Sequence, residues 1–349
     1  MRNIWMILML MASCAAHAAS FDCAKAKTAQ EKAICGSPEL NAADDRMAAA
    51  YHDVIAAATP EIAAELRDGQ RAWIRGMGVK CLGGAAQSST DLEKCLFDYE
   101  SSRTKDLQQM VLRANGVTFV WRSTTVTVQD DPATVPAEMR RLELNPGFGT
   151  LNAKWPQAIR DTPEWSAWNQ AIVQAAQKMT VQGLKGNSQA TWAAVEGADI
   201  DVAVSIGMVD VQIVTATISY DYDGHGAHPV DTSMQFNWLL KEQRELQPED
   251  VFRPNSGWDT SILGQCENDV TRQLTQQMGA DNASSWLADL PKALNGIIRD
   301  PRNWVLSGKG LTIPFQPYAV ACYACTPNPV TVSWTALRPF LQPGFVLPK

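Results

Sequence analysis

Residues 60–81 read PEIAAELRDGQRAWIRGMGVKC, and this stretch decides the fold of the first part of the chain. Large apolar side chains recur in it at the spacing of one helix face, at Ile62, Leu66, Trp73 and Met77. The preceding Thr59-Pro60 separates this helix from an earlier one. Gly76 and Gly78, followed by Gly83-Gly84, are expected to end it. The stretch therefore predicts one amphipathic helix with a single buried stripe.

Helical periodicity continues on both sides of this stretch. Before it, Asp44 or Asp45 is a candidate N-cap for a helix that turns Met47, Tyr51, Val54 and Ile55 inward. After it, a third helix begins near Asp91 and carries Leu92, Leu96, Tyr99 and Leu107. Because the connections are short, consecutive helices should be antiparallel neighbours. We predict an all-α module.

Four cysteines accompany these helices: Cys23, Cys35, Cys81 and Cys95. An even, compact set of this kind is typical of a disulfide framework in an oxidising compartment. Cys35 precedes the first long helix and Cys81 follows the second, which places both at one end of an antiparallel pair. The favoured pairing is therefore Cys35–Cys81 with Cys23–Cys95. Sequential pairing, Cys23–Cys35 with Cys81–Cys95, stays open.

The later cysteines, Cys266, Cys322 and Cys325, leave one thiol over. Cys322 and Cys325 have the spacing of a redox motif, which normally stands at the start of a helix. Prolines on both sides of the pair argue against a helix start there. A structural disulfide within this pair, or from Cys266 to one of its members, is favoured. Which thiol remains free cannot be read from the spacing.

After Asn115-Gly116 the composition changes to strands mixed with helices. Val117 to Val128 predicts a strand, and 202–222 predicts two strands around a turn near Gly207. Asp259 to Met278 predicts a helix. Strands and helices do not alternate regularly, so an α+β module with a mainly antiparallel sheet is expected. The complete chain is then a multidomain α+β protein with a disulfide-linked all-α module first.

One short stretch concentrates groups that could bind a ligand. It reads DYDGHGAH, and its candidate binding residues are Asp221, Tyr222, Asp223, His225 and His228. Alternating residues on an extended chain share a face, so the carboxylates and imidazoles could ligate a metal. A polar turn, with Gly224 and Gly226 supplying unusual backbone angles, explains the same pattern without a ligand. The favoured interpretation has no metal and no cofactor.

The first 18 residues have the pattern of a signal peptide: Arg2, an apolar run from Ile4 to Ala12, and Ala16-His17-Ala18. Cleavage is expected after Ala18 or Ala19. The alternative is a lipid anchor at Cys14, although the preceding residues fit a lipoprotein signal poorly. No later segment is expected to cross a membrane. We expect a periplasmic or secreted protein.

The formal net charge is −7, which argues against nucleic acid as a partner. An acidic surface instead favours a cationic partner. The sequence has no Gly-x-Ser-x-Gly elbow, no phosphate-binding loop and no His-Glu-x-x-His motif. We therefore expect a binding protein and not an enzyme.

The first module resembles the N-terminal domain of the lysozyme inhibitor LprI family. The residues that carry the resemblance are Phe21-Asp22-Cys23, Glu31 to Cys35, Leu40, Asp45, Tyr51, Gln70 to Trp73, Cys81, Cys95-Leu96, Tyr99, Arg103 and Leu107. The likeness covers about 85 residues. It implies a compact helical domain in which Gln70 and Trp73 belong to the core.

The second module is similar to the extracellular domain of RsiV-type anti-sigma factors, known as DUF3298. The matching residues are Gly226 to Pro229, Leu246, Glu249 to Phe252, Gly310 to Ile313, Phe315 to Val320, Val330 to Val332, Trp334 and Leu337. The likeness covers about residues 150–345 and implies that Tyr318 belongs to the core. Cys322 and Cys325 depart from the family pattern. No sigma-binding segment is seen, so an anti-sigma role does not carry over.

Both resemblances imply recognition of lysozyme. We expect an exported envelope protein that binds or inhibits lysozyme or another cationic cell-wall-active protein. The alternative is a peptidoglycan-acting enzyme or a metal-binding protein that uses the Asp221–His228 loop. The expected parts are a signal peptide (1–18), an LprI-like helical domain (20–112), a linker and strand (113–149) and a DUF3298-like α+β domain (150–349).

Overall fold

The structure is a computed structural model that describes residues 20–83, 89–129, 148–183, 199–223 and 229–347. The chain divides into two compact units, Met1–Leu112 and Arg113–Lys349. The first unit is helical and carries disulfides, and the second combines helices with a mainly antiparallel sheet. The predicted α+β class is therefore confirmed.

The helical unit contains a 3₁₀ turn at Cys23–Lys25, then α1 (Ala29–Gly36), α2 (Pro38–Ala57), α3 (Pro60–Gly83) and α4 (Ser89–Gln108). The predicted start of the first long helix was wrong. It begins at Pro38, and the Ser37 side chain caps it by accepting a hydrogen bond from the Leu40 amide. Asp44 lies inside the helix and is only 4% exposed, because it faces α4 and not solvent.

α3 continues through Gly76 and Gly78, which were expected to end it. A glycine inside a helix costs only about 1 kcal/mol relative to alanine. Buried Met77 and Cys81 on the following turns supply packing that outweighs this cost. Gly78 also permits a close approach, because a Cβ at that position would lie 3.3 Å from Oε1 of Gln30.

The two disulfides of this unit link neighbours in sequence, and the favoured crossed pairing was wrong. Cys23 bonds to Cys35 and Cys81 bonds to Cys95, each with 5.7 Å between the Cα atoms. The reason is the short helix α1, which ends at Gly36. Cys35 therefore lies in its last turn, beside the 3₁₀ turn that carries Cys23. Each disulfide closes one connection between consecutive helical segments.

The second unit is built on a seven-stranded sheet in the order β1-β2-β3-β4-β5-β6-β7. The strands are β1 (Val111–Ala114), β2 (Val117–Gln129), β3 (Phe148–Ala158), β4 (Asp199–Val209), β5 (Ile213–Asp223), β6 (Val230–Leu239) and β7 (Arg244–Glu245). β3 and β4 pair in parallel, whereas the pairs β2–β3, β4–β5, β5–β6 and β6–β7 are antiparallel.

Local sequence explains two features of this sheet. Asn115 and Gly116 have φ angles of 47° and 74°, as a two-residue hairpin turn requires. The turn predicted near Gly207 was wrong, since β4 continues to Val209. Gly207 instead lies where the β4–β5 register shifts, and a Cβ there would lie 2.7 Å from Oγ1 of Thr215. The glycine therefore marks a β-bulge.

α5 (Pro163–Gly183) packs against the central strands of the sheet. Trp165 and Trp168 of this helix make edge contacts with Phe119 of β2, with ring centroids 5.7 and 5.5 Å apart. Trp168 and Phe119 are fully buried. These aromatic rings anchor the helix on one face of the sheet.

The rest of the unit surrounds α7 (Trp258–Met278). The other elements are α6 (Pro248–Val251), α8 (Ala280–Leu287), α9 (Leu290–Arg299), α10 (Trp334–Leu337) and a sheet of β8 (Val305–Ser307), β9 (Gly310–Ile313) and β10 (Val330–Ser333). Trp304 lies fully buried at the centre of this cluster and its indole N–H donates to the Ile298 carbonyl at 2.8 Å.

Candidate functional site

The Gln-x-x-Trp motif of α3 is tied to α4 by Arg103. The Arg103 Nε atom donates to Oε1 of Gln70 at 3.0 Å, and the guanidinium carbon lies 5.9 Å from the Trp73 ring centroid. The Gln70 amide also donates to the sulfur of Met47 on α2, at 3.2 Å. Gln70 is buried and Trp73 is half-buried. The motif therefore joins three helices through one polar side chain.

α3 also presents three apolar side chains to solvent. Ile74, Val79 and Leu82 are 44%, 72% and 45% exposed, and we call them the apolar strip of α3. They are the large exposed hydrophobic side chains among the described residues of the helical unit. Arg75 and Lys80 are exposed beside them. Val79 and Leu82 are three residues apart and therefore neighbours on the helix surface, so this part of α3 is a candidate interface.

The predicted residues Asp221 and Asp223 belong to a larger group of carboxylates on the sheet. Asp221 lies opposite Asp201 of β4 and Asp231 of β6, and Asp223 lies opposite Asp199. Residues directly opposite in an antiparallel pair point to the same face. We call these five residues the acidic array: Asp199, Asp201, Asp221, Asp223 and Asp231.

The surroundings in the acidic array raise the pKa of Asp221. A hydrogen bond from one carboxyl group of the Asp221–Asp231 pair to the other, together with desolvation and repulsion from the neighbouring aspartates, raises the pKa of Asp221 to about 6. Like charges directly opposite on a sheet are destabilising. The array therefore concentrates negative charge at one end of β4, β5 and β6 at a cost in stability.

This raised pKa predicts how stability responds to pH. The ordinary pKa of Asp221 is 3.8, so between about pH 4 and pH 6 the folded state binds more protons than the unfolded state. The free energy of unfolding therefore falls as pH rises through this window. We expect Asp221→Asn to stabilise the protein at pH 7.5 and to have little effect at pH 4, as measured by urea unfolding.

Asp161→Asn serves as the control, because Asp161 is an exposed aspartate outside the array. It should leave the unfolding midpoint almost unchanged at both pH values. An Asp221→Asn effect that is the same at pH 4 and pH 7.5 would contradict the assignment.

The other predicted loop residues, His225 and His228, lie outside the described residues. Tyr222 is half-buried in β5. Within the parts of the chain that the structure describes, no group of three or more His, Cys, Asp or Glu side chains could hold a metal ion. Sequence reasoning found two members of the array and missed three. The repeated Asp-x-Asp pattern, at Asp199-Ile-Asp201 and Asp221-Tyr-Asp223, could have found two more.

The later cysteines are placed in the second unit. Cys322 bonds to Cys325 across a 3₁₀ turn, which is one of the two disulfides predicted for them. The alternative, a disulfide from Cys266 to one member of the pair, was wrong. Cys266 is a free thiol on α7 with no exposed surface, and burial raises its pKa to about 12. The buried thiol is therefore protonated and chemically inert at neutral pH.

Tyr318 was predicted to belong to the core, and this was wrong. Its side chain is 60% exposed and its backbone has a φ angle of 64°. Gln316, two residues before it, makes the contact with the sheet. Its Oε1 atom accepts from the amide of Ser233 on β6, and its Nε2 atom donates to the carbonyl of the same residue. Gln316 thereby occupies the hydrogen-bonding positions of a neighbouring strand, and the chain turns outward at Tyr318.

The family comparisons agree with the division into a helical and a mixed unit. Residues 23–107 match the family described as Lysozyme inhibitor LprI. Residues 249–335 match the family described as Protein of unknown function (DUF3298). Both resemblances are confirmed, the second over 249–335 and not over the whole of the expected 150–345. The LprI-like segment includes the two disulfides of the helical unit, the Gln70–Trp73–Arg103 contacts and the apolar strip of α3.

Solved structures similar to this chain include two DUF3298 family proteins. One is from Bacteroides fragilis NCTC 9343, with 14% identity, a TM-score of 0.44, and coverage of 64% of this chain and 94% of that one. The other is from Pseudomonas aeruginosa PAO1, with 14% identity, a TM-score of 0.44, and coverage of 66% and 96%. A search of curated proteins found no match. Among the described residues, no helix has the length and apolar character needed to cross a membrane.

Proposed function

We propose that this chain is an exported cell-envelope protein that binds lysozyme, or a similar cationic cell-wall-lytic protein, and blocks its activity. The observation that carries the proposal is the match of residues 23–107 to the lysozyme inhibitor LprI family. The two disulfides of this segment suit an oxidising compartment outside the cytoplasm. The function assigned to the molecule is recognition by a rigid surface, and no cofactor is needed.

The apolar strip of α3 is the proposed contact surface. Ile74, Val79 and Leu82 offer apolar area that gains from burial. Arg75 and Lys80 are exposed beside them and carry positive charge. Glycosidases such as lysozyme carry two catalytic carboxyl groups in their substrate cleft. A strip that combines apolar side chains with cations is complementary to such a cleft, so its binding would exclude the substrate.

The acidic array has a different proposed role. Its five carboxylates would attract a partner of net positive charge over a longer range. Charges of this kind mainly raise the rate of association, and they act less at high salt. The proposal therefore separates a surface that holds the partner from a surface that speeds its arrival.

Binding and inhibition can be tested together. The protein, purified from the envelope, is titrated against lysozyme by calorimetry, and lysis of bacterial cell walls is followed in parallel. We expect Val79→Asp with Leu82→Asp to weaken binding at least about tenfold, because buried apolar contacts are replaced by desolvated charges. Val211→Asp, at a residue of the other unit that is 74% exposed, is the matched control. Absence of binding at micromolar concentrations would refute the proposed function.

Stopped-flow association at two salt concentrations tests the acidic array. The triple variant Asp201→Asn, Asp221→Asn, Asp231→Asn should associate more slowly and show a weaker dependence on salt. Its dissociation rate should change little. An unchanged association rate would remove the array from the binding mechanism.

Localisation and domain boundaries form part of the same proposal. We place a signal peptide at the start of the chain, within 1–18 or extending to Ala19, with a lipid anchor at Cys14 as the alternative, and the DUF3298-like domain at 150–349. Cell fractionation and the intact mass of the envelope protein distinguish the two modes of export.

The alternative function, a peptidoglycan-acting enzyme that uses the Asp221–His228 loop, is tested on the same preparation. The Asp221–Asp231 carboxyl pair is the feature that favours it, since such pairs can carry acid–base chemistry. Peptidoglycan hydrolysis that is lost in Asp221→Asn would favour the enzyme over the inhibitor.

A further inference from the structure

Two acidic side chains lie inside the helical unit, between α2 and α4. Glu100 of α4 has no exposed surface, and Asp44 of α2 is 4% exposed. Within the described chain, neither carboxyl oxygen of Glu100 has a hydrogen-bond partner. Desolvation and the charge of Asp44 outweigh the opposite effect of Arg46 and raise the pKa of Glu100 to about 8. Arg46 is not hydrogen-bonded to the Glu100 carboxyl group in the described chain, and a buried acid without such a partner is costly.

Ser20, which follows the predicted leader, is bonded to one of these acids. The backbone nitrogen of Ser20 donates to Oδ2 of Asp44 at 2.8 Å. The next residue, Phe21, packs against the core cluster that contains Ile34 and Leu40. Ser20 is therefore held at Asp44 by a hydrogen bond and by the packing of the following residue.

A peptide nitrogen is a poor partner for two carboxyl groups, because it carries one hydrogen and no charge. An α-ammonium carries three hydrogens and a full positive charge, and charge-assisted hydrogen bonds are roughly twice as strong as neutral ones. At Ser20 N it could donate to Asp44 with one hydrogen and still have two hydrogens for Glu100, which interacts electrostatically with Asp44. The sequence before Ser20 has the pattern of a cleaved leader and leaves cleavage after Ala18 or Ala19 open.

We propose that a signal peptidase cleaves the Ala19–Ser20 bond and that Asp44 and Glu100 form the receptor for the new α-ammonium of Ser20. Hydrolysis adds one water across the peptide bond. Ala19 takes the carboxylate, and the Ser20 nitrogen becomes an ammonium at neutral pH. The acidic pair is then compensated only in the processed protein, so processing completes the fold of the helical unit. This inference concerns maturation and does not depend on which partner the surface binds.

The first test is the identity and proton affinity of the new terminus. The protein is expressed with its own leader and purified from the envelope. Its intact mass and terminal sequence should show a chain that starts at Ser20. The pKa of its α-amine, measured from the pH dependence of acylation or by NMR, should lie at least about one unit above the ordinary range of about 7.7–8.0. A chain that starts at Ala19 or at a lipidated Cys14, or an α-amine with an ordinary pKa, would overturn the proposal.

The second test distinguishes an ion pair from a merely buried acid. Glu100→Gln should lower the denaturant midpoint of the processed protein, because it removes one acceptor of the ammonium. In a chain with one glycine inserted between Ala19 and Ser20, the ammonium is displaced, and Glu100→Gln should have no such effect or should stabilise. Glu93→Gln, at an exposed glutamate of the same helix, is the control. Equal effects of Glu100→Gln in the two chains would overturn the proposal.

Discussion

Replacing Cys81 and Cys95 together with serine should lower the free energy of unfolding of the helical unit by about 3 kcal/mol. The disulfide joins the last turn of α3 to the second turn of α4, with a sequence separation of 14 residues. The chain-entropy model assigns about 3 kcal/mol to a loop of this length. The effect is large because a small helical domain has limited apolar burial to offset it. Chemical denaturation of the oxidised protein measures the loss.

Cys322→Ser with Cys325→Ser is the control for this prediction. That disulfide spans a sequence separation of 3 residues and constrains the unfolded chain much less. A second control tests the pairing itself: in Cys23→Ser with Cys35→Ser, the remaining cysteines of the unit should still be bonded to each other. Two free thiols in that variant would contradict the observed pairing and support the crossed one, Cys35–Cys81 with Cys23–Cys95.

Replacing Trp304 with alanine should destabilise the second unit by about 3–5 kcal/mol, the usual cost of deleting a buried tryptophan. The Trp304 ring makes edge contacts with Phe252 and Trp258, each with 5.6 Å between ring centroids. Its indole N–H bonds to the Ile298 carbonyl, and its own carbonyl accepts from the Asn237 side chain at 2.9 Å. The variant therefore loses packing and removes the indole donor to the Ile298 carbonyl, whereas the main-chain carbonyl that accepts from Asn237 remains.

Trp286→Ala is the matched control, because Trp286 of α8 is 40% exposed. Thermal unfolding followed by calorimetry should show a large decrease in the transition temperature for Trp304→Ala. Trp286→Ala should shift it little. Comparable shifts for the two variants would contradict the central role assigned to Trp304.

Periodicity in the sequence predicted the elements well wherever one face of an element is buried. The stripe from Ile62 to Met77 gave α3, and the helix predicted over Asp259 to Met278 is α7 with one added residue. The errors in the predicted ends of helices and strands occurred at glycines and at an aspartate. Gly76 and Gly207 were interpreted as ends or turns, but tertiary packing carries both elements through them. Asp44 was interpreted as a cap, because a buried acid that meets another helix has no local sequence signal.

Disulfide pairing and the candidate site depended on contacts that spacing cannot supply. The short helix α1, which brings Cys35 back to Cys23, was not predicted, so the crossed pairing looked better. Asp221 and Asp223 were recognised because they are close in sequence. Asp201 and Asp231 joined them through strand pairing. The apolar strip of α3 could not be predicted, since an amphipathic pattern does not show which apolar side chains stay exposed.

The parallel pairing of β3 with β4 has a consequence for how the second unit is assembled. In β2–β3 and in β4–β5–β6, each strand pairs with the next strand in the sequence. The parallel pairing of β3 with β4, in which Thr150 lies opposite Asp199, instead links two strands that are separated in the sequence by α5. Local hairpins form before contacts of large sequence separation, because closing a long loop costs entropy. The strands β2–β3 and β4–β5–β6 should therefore form two separate antiparallel sheets first, and the parallel β3–β4 pairing should join them late. A chain divided within the crossover should still reconstitute the sheet from its two fragments.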